Sequence, residues 1–347
     1  MPLTQPPRLT CRRSLLASAP ALGALLALGA PQPAAAKTVL TLYSAQHAQV
    51  VQMLTKAFEA GTGIAVRVHS GEGPEIANQI LREGHNSPAD MVFVENSPEL
   101  TLLDQQHLLA PVETATLALV PHTDNAPDGN WLAVLARQNV LAWNPSLIQA
   151  RDLPRTLDAL AAPAWKGRIA IAPSDADFLP LVGAMLHTEG EAKTLAWLQG
   201  LKRNAMIYQD DEAVVAAVNR ASVATGIINN YYWTRLYTEL GATRTPSRIA
   251  HFAPGDIGNL INVSGAAVLA SSHQQPAAQR FLAFLVSQGT QEMLARSSVD
   301  YEYPLRPGVA PNPLLAPMAS LHPPAITPSQ LGNDRAAAQL LLRAGLI

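Results

Sequence analysis

Two adjacent tyrosines, Tyr231 and Tyr232, follow the apolar run Thr225-Gly-Ile-Ile228 within Asn229-Asn-Tyr-Tyr-Trp233, in a chain with only seven tyrosines. Two other β-rich runs end in comparable polar residues. Thr38–Tyr43 leads into Ser44-Ala-Gln-His47, and Met91-Val-Phe-Val94 leads into Glu95-Asn96. In open α/β sheets ligands collect outside the carboxyl ends of the strands, so these three ends are candidates for one shared site. Paired phenols there can stack on an organic ligand or bind a metal. They can also simply start a helix, with one ring buried and the other reaching for solvent. Thiolate chemistry is closed, because the single cysteine, Cys11, lies far upstream of every candidate. No Gly-x-Ser-x-Gly elbow is present, and Gly71-Glu-Gly73 and Gly255-Asp-Ile-Gly258 lack the strand, lysine and helix of a phosphate loop.

The elements that must position these residues alternate between strand and helix. Ala48–Ala60 carries Val50, Val51, Leu54 and Phe58 on one helical face, with Gly61 and Gly63 as its stop. A strand over 64–68, a helix over 74–83 opened by Pro74 and the continuous apolar strand Met91–Val94 follow. Beyond these come an extended run at 134–142, a short strand Ile169–Ile171 and two helices within 181–201. Asp210-Asp211 caps a helix to about Arg220, and two further helices are expected over 275–287 and 289–296. Strands alternating with helices of about 10–15 residues predict parallel βαβ units. A proline-rich stretch after Tyr303 should wrap a surface.

The first 36 residues read as an address. Arg12-Arg13 precede a Leu- and Ala-rich run, and Ala34-Ala35-Ala36 stands immediately before Lys37. This is the layout of a cleavable export signal, and the arginine pair followed by Ser-Leu-Leu matches the twin-arginine route. Without that segment the chain keeps 311 residues with 21 basic and 26 acidic side chains, a formal charge of −5. Such a balance excludes nucleic-acid binding by bulk phosphate attraction. No stretch of about 20 apolar residues remains to cross a membrane. A length of 311 residues exceeds what one core usually organises, so two lobes are expected.

Four segments resemble the ferric-ion-binding proteins of bacterial ABC iron importers, the transferrin-like type II periplasmic binding proteins. They are Leu42-Tyr-Ser-Ala-Gln-His47, Pro88-Ala-Asp-Met-Val-Phe-Val-Glu95, Ile228-Asn-Asn-Tyr-Tyr-Trp233 and Glu302-Tyr-Pro-Leu305. The resemblance implies an α/β fold of two lobes with a hinge and an interlobe cleft, and a non-enzymatic receptor working in the periplasm. It implies Fe³⁺ bound by His47, Glu95, Tyr231 and Tyr232, and delivery to an inner-membrane ABC permease with its ATPase. A soluble monomer starting near Lys37 is expected. The first lobe would comprise residues 37–137 and 262–311, the second residues 138–261 and 312–347, with crossings near Arg137–Trp143 and Asn259–Val263. The donor chemistry agrees. Hard cations favour anionic oxygen, and a phenol with pKa about 10 ionises at neutral pH only beside a strong positive charge.

The chain departs from that family where many members cradle a synergistic phosphate. Ser174-Asp-Ala-Asp177 replaces the usual Thr-Ser-Gly run, and Asp211 stands where Asn is common. Carboxylates repel a phosphate, whereas Asn96, Arg137 and Asn229 keep the expected polar or basic character. Carbonate on Arg137 is therefore expected ahead of phosphate, with water or Asp175 as other ways to complete the metal sphere. Two rival readings remain open: a receptor of the same fold for a small organic or phosphorylated solute, and an exported metal-dependent hydrolase.

Overall fold

The computed structural model describes residues 38–347, and the expected export signal lies outside them. The first half of the chain runs β1 (Val39–Ser44), α1 (Ala48–Thr62), β2 (Ala65–Ser70), α2 (Gly73–Glu83), β3 (Met91–Val94), α3 (Ser97–Asp104), β4 (Leu109–Ala110), α4 (Thr114–Leu117) and β5 (Leu132–Trp143). The second half runs β6 (Ile169–Ile171), α5 (Leu179–Glu189), α6 (Glu191–Asn204), β7 (Ala205–Ile207), α7 (Asp211–Asn219), β8 (Thr225–Asn229), α8 (Asn230–Leu240) and β9 (Arg248–Ala250). It closes with β10 (Ile261–Leu269), α9 (Gln275–Leu285), α10 (Gln288–Ala295), β11 (Tyr303–Pro304) and α11 (Arg335–Ala344).

Local chemistry explains the early elements. Val50, Val51, Leu54 and Phe58 of α1 are buried as their spacing requires, and Phe58 meets Phe281 of α9 edge to face at 4.8 Å. Of the two expected stop glycines, Gly61 stays helical while Gly63 takes the left-handed cap at φ 73°, a conformation that costs other residues strain.

The main path of the sheet is β2-β1-β3-β10-β5-β8-β6-β7. β1 pairs in parallel with β2 and β3, and β6 does so with β7 and β8. The expected parallel βαβ units occupy both flanks, whereas the centre is antiparallel. There β10 runs antiparallel to both β3 and β5, and β5 runs antiparallel to β8. The returning strand inserts between elements laid down much earlier, an event that local periodicity does not signal.

All twelve residues of β5 are buried. Residues 132–138 pair with β10 and 139–143 with β8, so one strand serves two sheets. Each sheet has its own core, one gathered around Leu42, Phe58, Phe93 and Phe281, the other around Leu141, Phe178, Trp197 and Leu341. A smaller cluster on the other face of the second sheet includes Val140, Val214 and Ile228. Leu315, Met318 and Leu321 pack on the first core and Leu331 on the second. The chain passes for the last time from the first core to the second within 321–326. Gln138 ties the crossing together, donating its side-chain amide to the carbonyls of Asn259 and Leu321 at 3.1 and 3.0 Å. Among the described residues no helix is long and apolar enough to cross a membrane.

Candidate metal centre

Four strands aim their carboxyl ends at one cavity of about 540 Å³. β1 is followed by His47, β3 by Glu95 and Asn96, β6 by Asp175 and Asp177, and β8 by the tyrosine pair. Gly226 helps seat β8, because a β-carbon there would stand 2.4 Å from Val214 of α7. The helix start expected as the plain reading of the tyrosines is real. Tyr231 is buried and Tyr232 half-buried in the first turn of α8. Their hydroxyls nevertheless share one partner, donating to Asp177 Oδ2 at 2.7 and 3.2 Å.

His47 caps α1 and meets Tyr231 edge to face, ring centres 5.1 Å apart. Its Nδ1 lies 2.8 Å from Gln46 Oε1 and 3.2 Å from Glu95 Oε1. Burial, with the charge of Arg235 next, pulls its pKa down to about 4. The ring is therefore neutral at neutral pH and can offer a lone pair without losing a proton. Burial and then the charge of Asp177 push the carboxyl of Glu95 well above its ordinary range. The same two causes, in that order, push Tyr231 and Tyr232 well above theirs. Without a cation, then, both tyrosines are phenols and hydrogen-bond donors.

Asp177 behaves differently. Burial alone would raise its carboxyl, but Arg137, with hydrogen bonds from Tyr231, Asn229 and Asn96, holds it below its ordinary value. Arg137 Nη2 donates to Asp177 Oδ1 at 3.2 Å and to Asn96 Oδ1 at 2.5 Å, and Nη1 donates to Glu302 Oε1 at 3.1 Å. All three charged side chains are 1% exposed. One guanidinium facing two carboxylates leaves a buried net charge of −1, which favours a cation beside it. The N-terminus of α8 adds a positive field where the phenolates would form. Arg235 lies 5.5 and 5.8 Å over the two rings and steadies negative charge there.

His47, Glu95, Tyr231 and Tyr232 are thus brought together. Among the described residues no three His, Cys, Asp or Glu side chains are disposed to hold a metal. The second tier of expected residues divides. Asn96 joins the network, donating from Nδ2 to Asp177 Oδ1 at 3.2 Å. Arg137 has both terminal nitrogens engaged, and only its Nε is without a partner. Asp175 is used locally, accepting from the backbone of Asp177 and of Asp211, both at 3.1 Å. Asp211 accepts from the Asn229 backbone at 3.0 Å, and Ser174 is exposed with its hydroxyl on the Gln209 carbonyl. Asp177, expected only as an acidic residue beside the anion position, is where both tyrosine hydroxyls converge. Its signal was present, since Ser174-Asp-Ala-Asp177 follows a strand just as the other three polar ends do.

Residues 53–321 match the family described as bacterial extracellular solute-binding protein. The chain belongs to that family. Among relatives of this solute-binding protein is the Fe(3+)-binding periplasmic protein of Serratia marcescens, 38% identical over 323 residues, covering 93% of this chain and 95% of the relative. The solved structure of iron-bound HitA from Pseudomonas aeruginosa is 40% identical, with a TM-score of 0.84 over 89% of this chain and 99% of that one. A Trichodesmium protein solved with iron and citrate is 26% identical, with a TM-score of 0.78 over 88% and 99% of the two chains. The two-lobed type II binding-protein fold expected from sequence is borne out by these neighbours.

Proposed function

We propose that this solute-binding protein is an exported receptor that captures one ferric ion between its lobes and delivers it to an inner-membrane ABC permease driven by its ATPase. The observation that carries the reading is the meeting of two tyrosine hydroxyls on Asp177, opposite a neutral His47 and Glu95. On binding, the trivalent charge would displace the two phenolic protons, giving two phenolates, Glu95 and the His47 nitrogen. Proton release makes such binding weaken as pH falls. Zinc and calcium sites do not normally draw on paired tyrosines.

Asp177 presents its carboxylate to Arg137 and to both tyrosine hydroxyls, and can complete the metal sphere in place of a synergistic anion. With Arg137 spoken for and Asp175, Asp177 and Asp211 all at hand, the site repels phosphate, and carbonate has no free terminal guanidinium nitrogen to rest on. The same acidity argues against a phosphorylated solute. A hydrolase would need a metal with strong Lewis acidity and a nearby base, whereas two phenolates and the Glu95 carboxylate neutralise the trivalent ion. The lobes we infer are residues 37–137 with 262 to about 321, and 138–261 with about 326–347. The working form is a periplasmic monomer cleaved near Ala36. The decisive test is a visible spectrum of the mature protein with and without ferric citrate, since Fe³⁺–phenolate complexes are coloured. A colourless protein that retains iron would overturn the tyrosine ligation.

A further inference from the structure

We propose that Glu302 positions both halves of the metal centre at once, setting the ring tautomer of His47 through Gln46 and the place of Asp177 through Arg137. The inference rests on the ferric-receptor reading for its consequence, but the hydrogen-bond relay stands on its own geometry. Glu302 is buried and lies 256 residues from Gln46 in sequence. Its Oε1 accepts from Arg137 Nη1 at 3.1 Å and from Ser264 Oγ at 3.3 Å, while Oε2 accepts from Gln46 Nε2 at 3.0 Å. Its own backbone N–H is pinned to Asp300 Oδ1 at 2.9 Å.

A carboxylate can only accept, so Gln46 must turn its NH₂ toward Glu302 and its carbonyl oxygen toward His47. That oxygen accepts the His47 backbone N–H at 2.7 Å and faces the ring Nδ1 at 2.8 Å. Nδ1 therefore carries the proton, with Gln46 Oε1 at 2.8 Å its nearer acceptor and Glu95 Oε1 at 3.2 Å the second, and Nε2 keeps the lone pair, the arrangement that outer-sphere partners impose on ligating histidines. The other arm runs from Glu302 through Arg137 to Asp177 and so to both tyrosine hydroxyls. One residue near the end of the chain thus fixes donors contributed by β1, β6 and β8.

Glu302→Gln makes the relay testable, because an amide can satisfy only one arm. Its oxygen should stay with the charged Arg137, the stronger donor, leaving its NH₂ against the NH₂ of Gln46. Turning Gln46 over would set its NH₂ against the His47 backbone N–H as well, so Gln46 is displaced in either orientation and His47 should lose its fixed Nδ1–H form. The first readout is the ¹⁵N spectrum of the histidine rings in iron-free protein, with His47 assigned by its loss in His47→Asn. The unmodified protein should show Nδ1–H at His47, and Glu302→Gln should show Nε2–H or a mixture. Iron retention against a competing chelator should fall at least about tenfold, with a shifted visible band. The exchange Glu302→Gln with Gln46→Glu restores the direction of the relay and should recover tautomer, band and retention together.

An unchanged tautomer in Glu302→Gln, or a double variant no better than the single, would overturn the proposal. If Glu302→Gln fails to fold, Gln46→Met removes only the His47 arm, and an Nδ1–H form kept intact there would overturn it equally. Failure of the ferric reading looks different: the tautomer would still respond, but no variant or parent would show a phenolate band.

Discussion

Asp177 and Glu99 are buried to almost the same depth, 3% and 4% exposed, yet one carboxyl is held below its ordinary range and the other is pushed well above it. Asp177 has Arg137, Asn96 and two tyrosine hydroxyls around it. Glu99 Oε2 is buried with no partner, and after burial itself the charge of Asp334 is the largest influence on the group. Asp334, at the N-terminus of α11, has a left-handed backbone at φ 63°, makes no capping bond, and keeps its own Oδ1 unpartnered. Burial pushes its carboxyl up to about 8. Depth of burial therefore does not decide the state of a carboxyl here; the donors within reach do.

The two regions should respond to pH with opposite sign. Asp177, with a lowered folded value, contributes stability that is present above the ordinary carboxylate range and is lost as pH falls through that lowered value. Asp334 and Glu99, with raised folded values, contribute stability that is complete below the ordinary carboxylate range. It is lost as pH rises, for Asp334 between its ordinary 3.8 and about 8.

The largest effect should come from taking away what separates them. Arg137→Met leaves Asp177 and Glu302 buried without their cation and should cost about 3–5 kcal/mol in urea unfolding at pH 7. A loss under about 1 kcal/mol would mean that the guanidinium does not hold the cluster. Next in size are Tyr231→Phe and Tyr232→Phe. In iron-free protein each removes one donor from Asp177 and should cost about 1 kcal/mol. In the loaded protein each should shift or abolish the visible band and weaken iron retention by more than the ~100-fold upper range of outer-sphere changes. Two single variants of unchanged colour and retention would exclude the phenols as ligands.

A smaller effect tests the other member of the comparison. Asp334→Asn should flatten the decline in urea midpoint between pH 5 and pH 9 by about 1 kcal/mol, after allowance for partial exposure of the residue. Variant and parent should converge only below the ordinary 3.8, where the carboxyl is protonated in both the folded and the unfolded chain. An unaltered slope would show that Asp334 is ionised in the fold. Smallest of all is the expected response to phosphate. Millimolar phosphate should alter iron retention by less than about twofold, since Asp177, held below its ordinary value, and Asp175, raised by burial only to about 6, oppose an anion. A strong phosphate effect would place those aspartates away from the metal in the loaded state.

Much of this protein is written locally. The α1 face of Val50, Val51, Leu54 and Phe58, the buried strand Met91–Val94 and the cap at Gly63 follow from side-chain periodicity and backbone sterics, which operate over a few residues. His47, Glu95 and the tyrosine pair were legible as polar residues at strand ends, and their role came from resemblance to a family. β10 was not legible as a strand. Its run Ile-Asn-Val-Ser-Gly-Ala-Ala-Val-Leu puts Asn262 and Ser264 inside a buried element, where they serve hydrogen bonds to Asn96 and Glu302. Nor could residue order show that Asp177 meets hydroxyls 54 and 55 positions away, or that Arg137 is consumed by carboxylates 40 and 165 positions off. Composition and spacing determined which groups were available and which chemistry was closed. Only the packing of two sheets along β5 decided which carboxylate received the arginine, because buried electrostatics depends on distances that the linear chain does not contain.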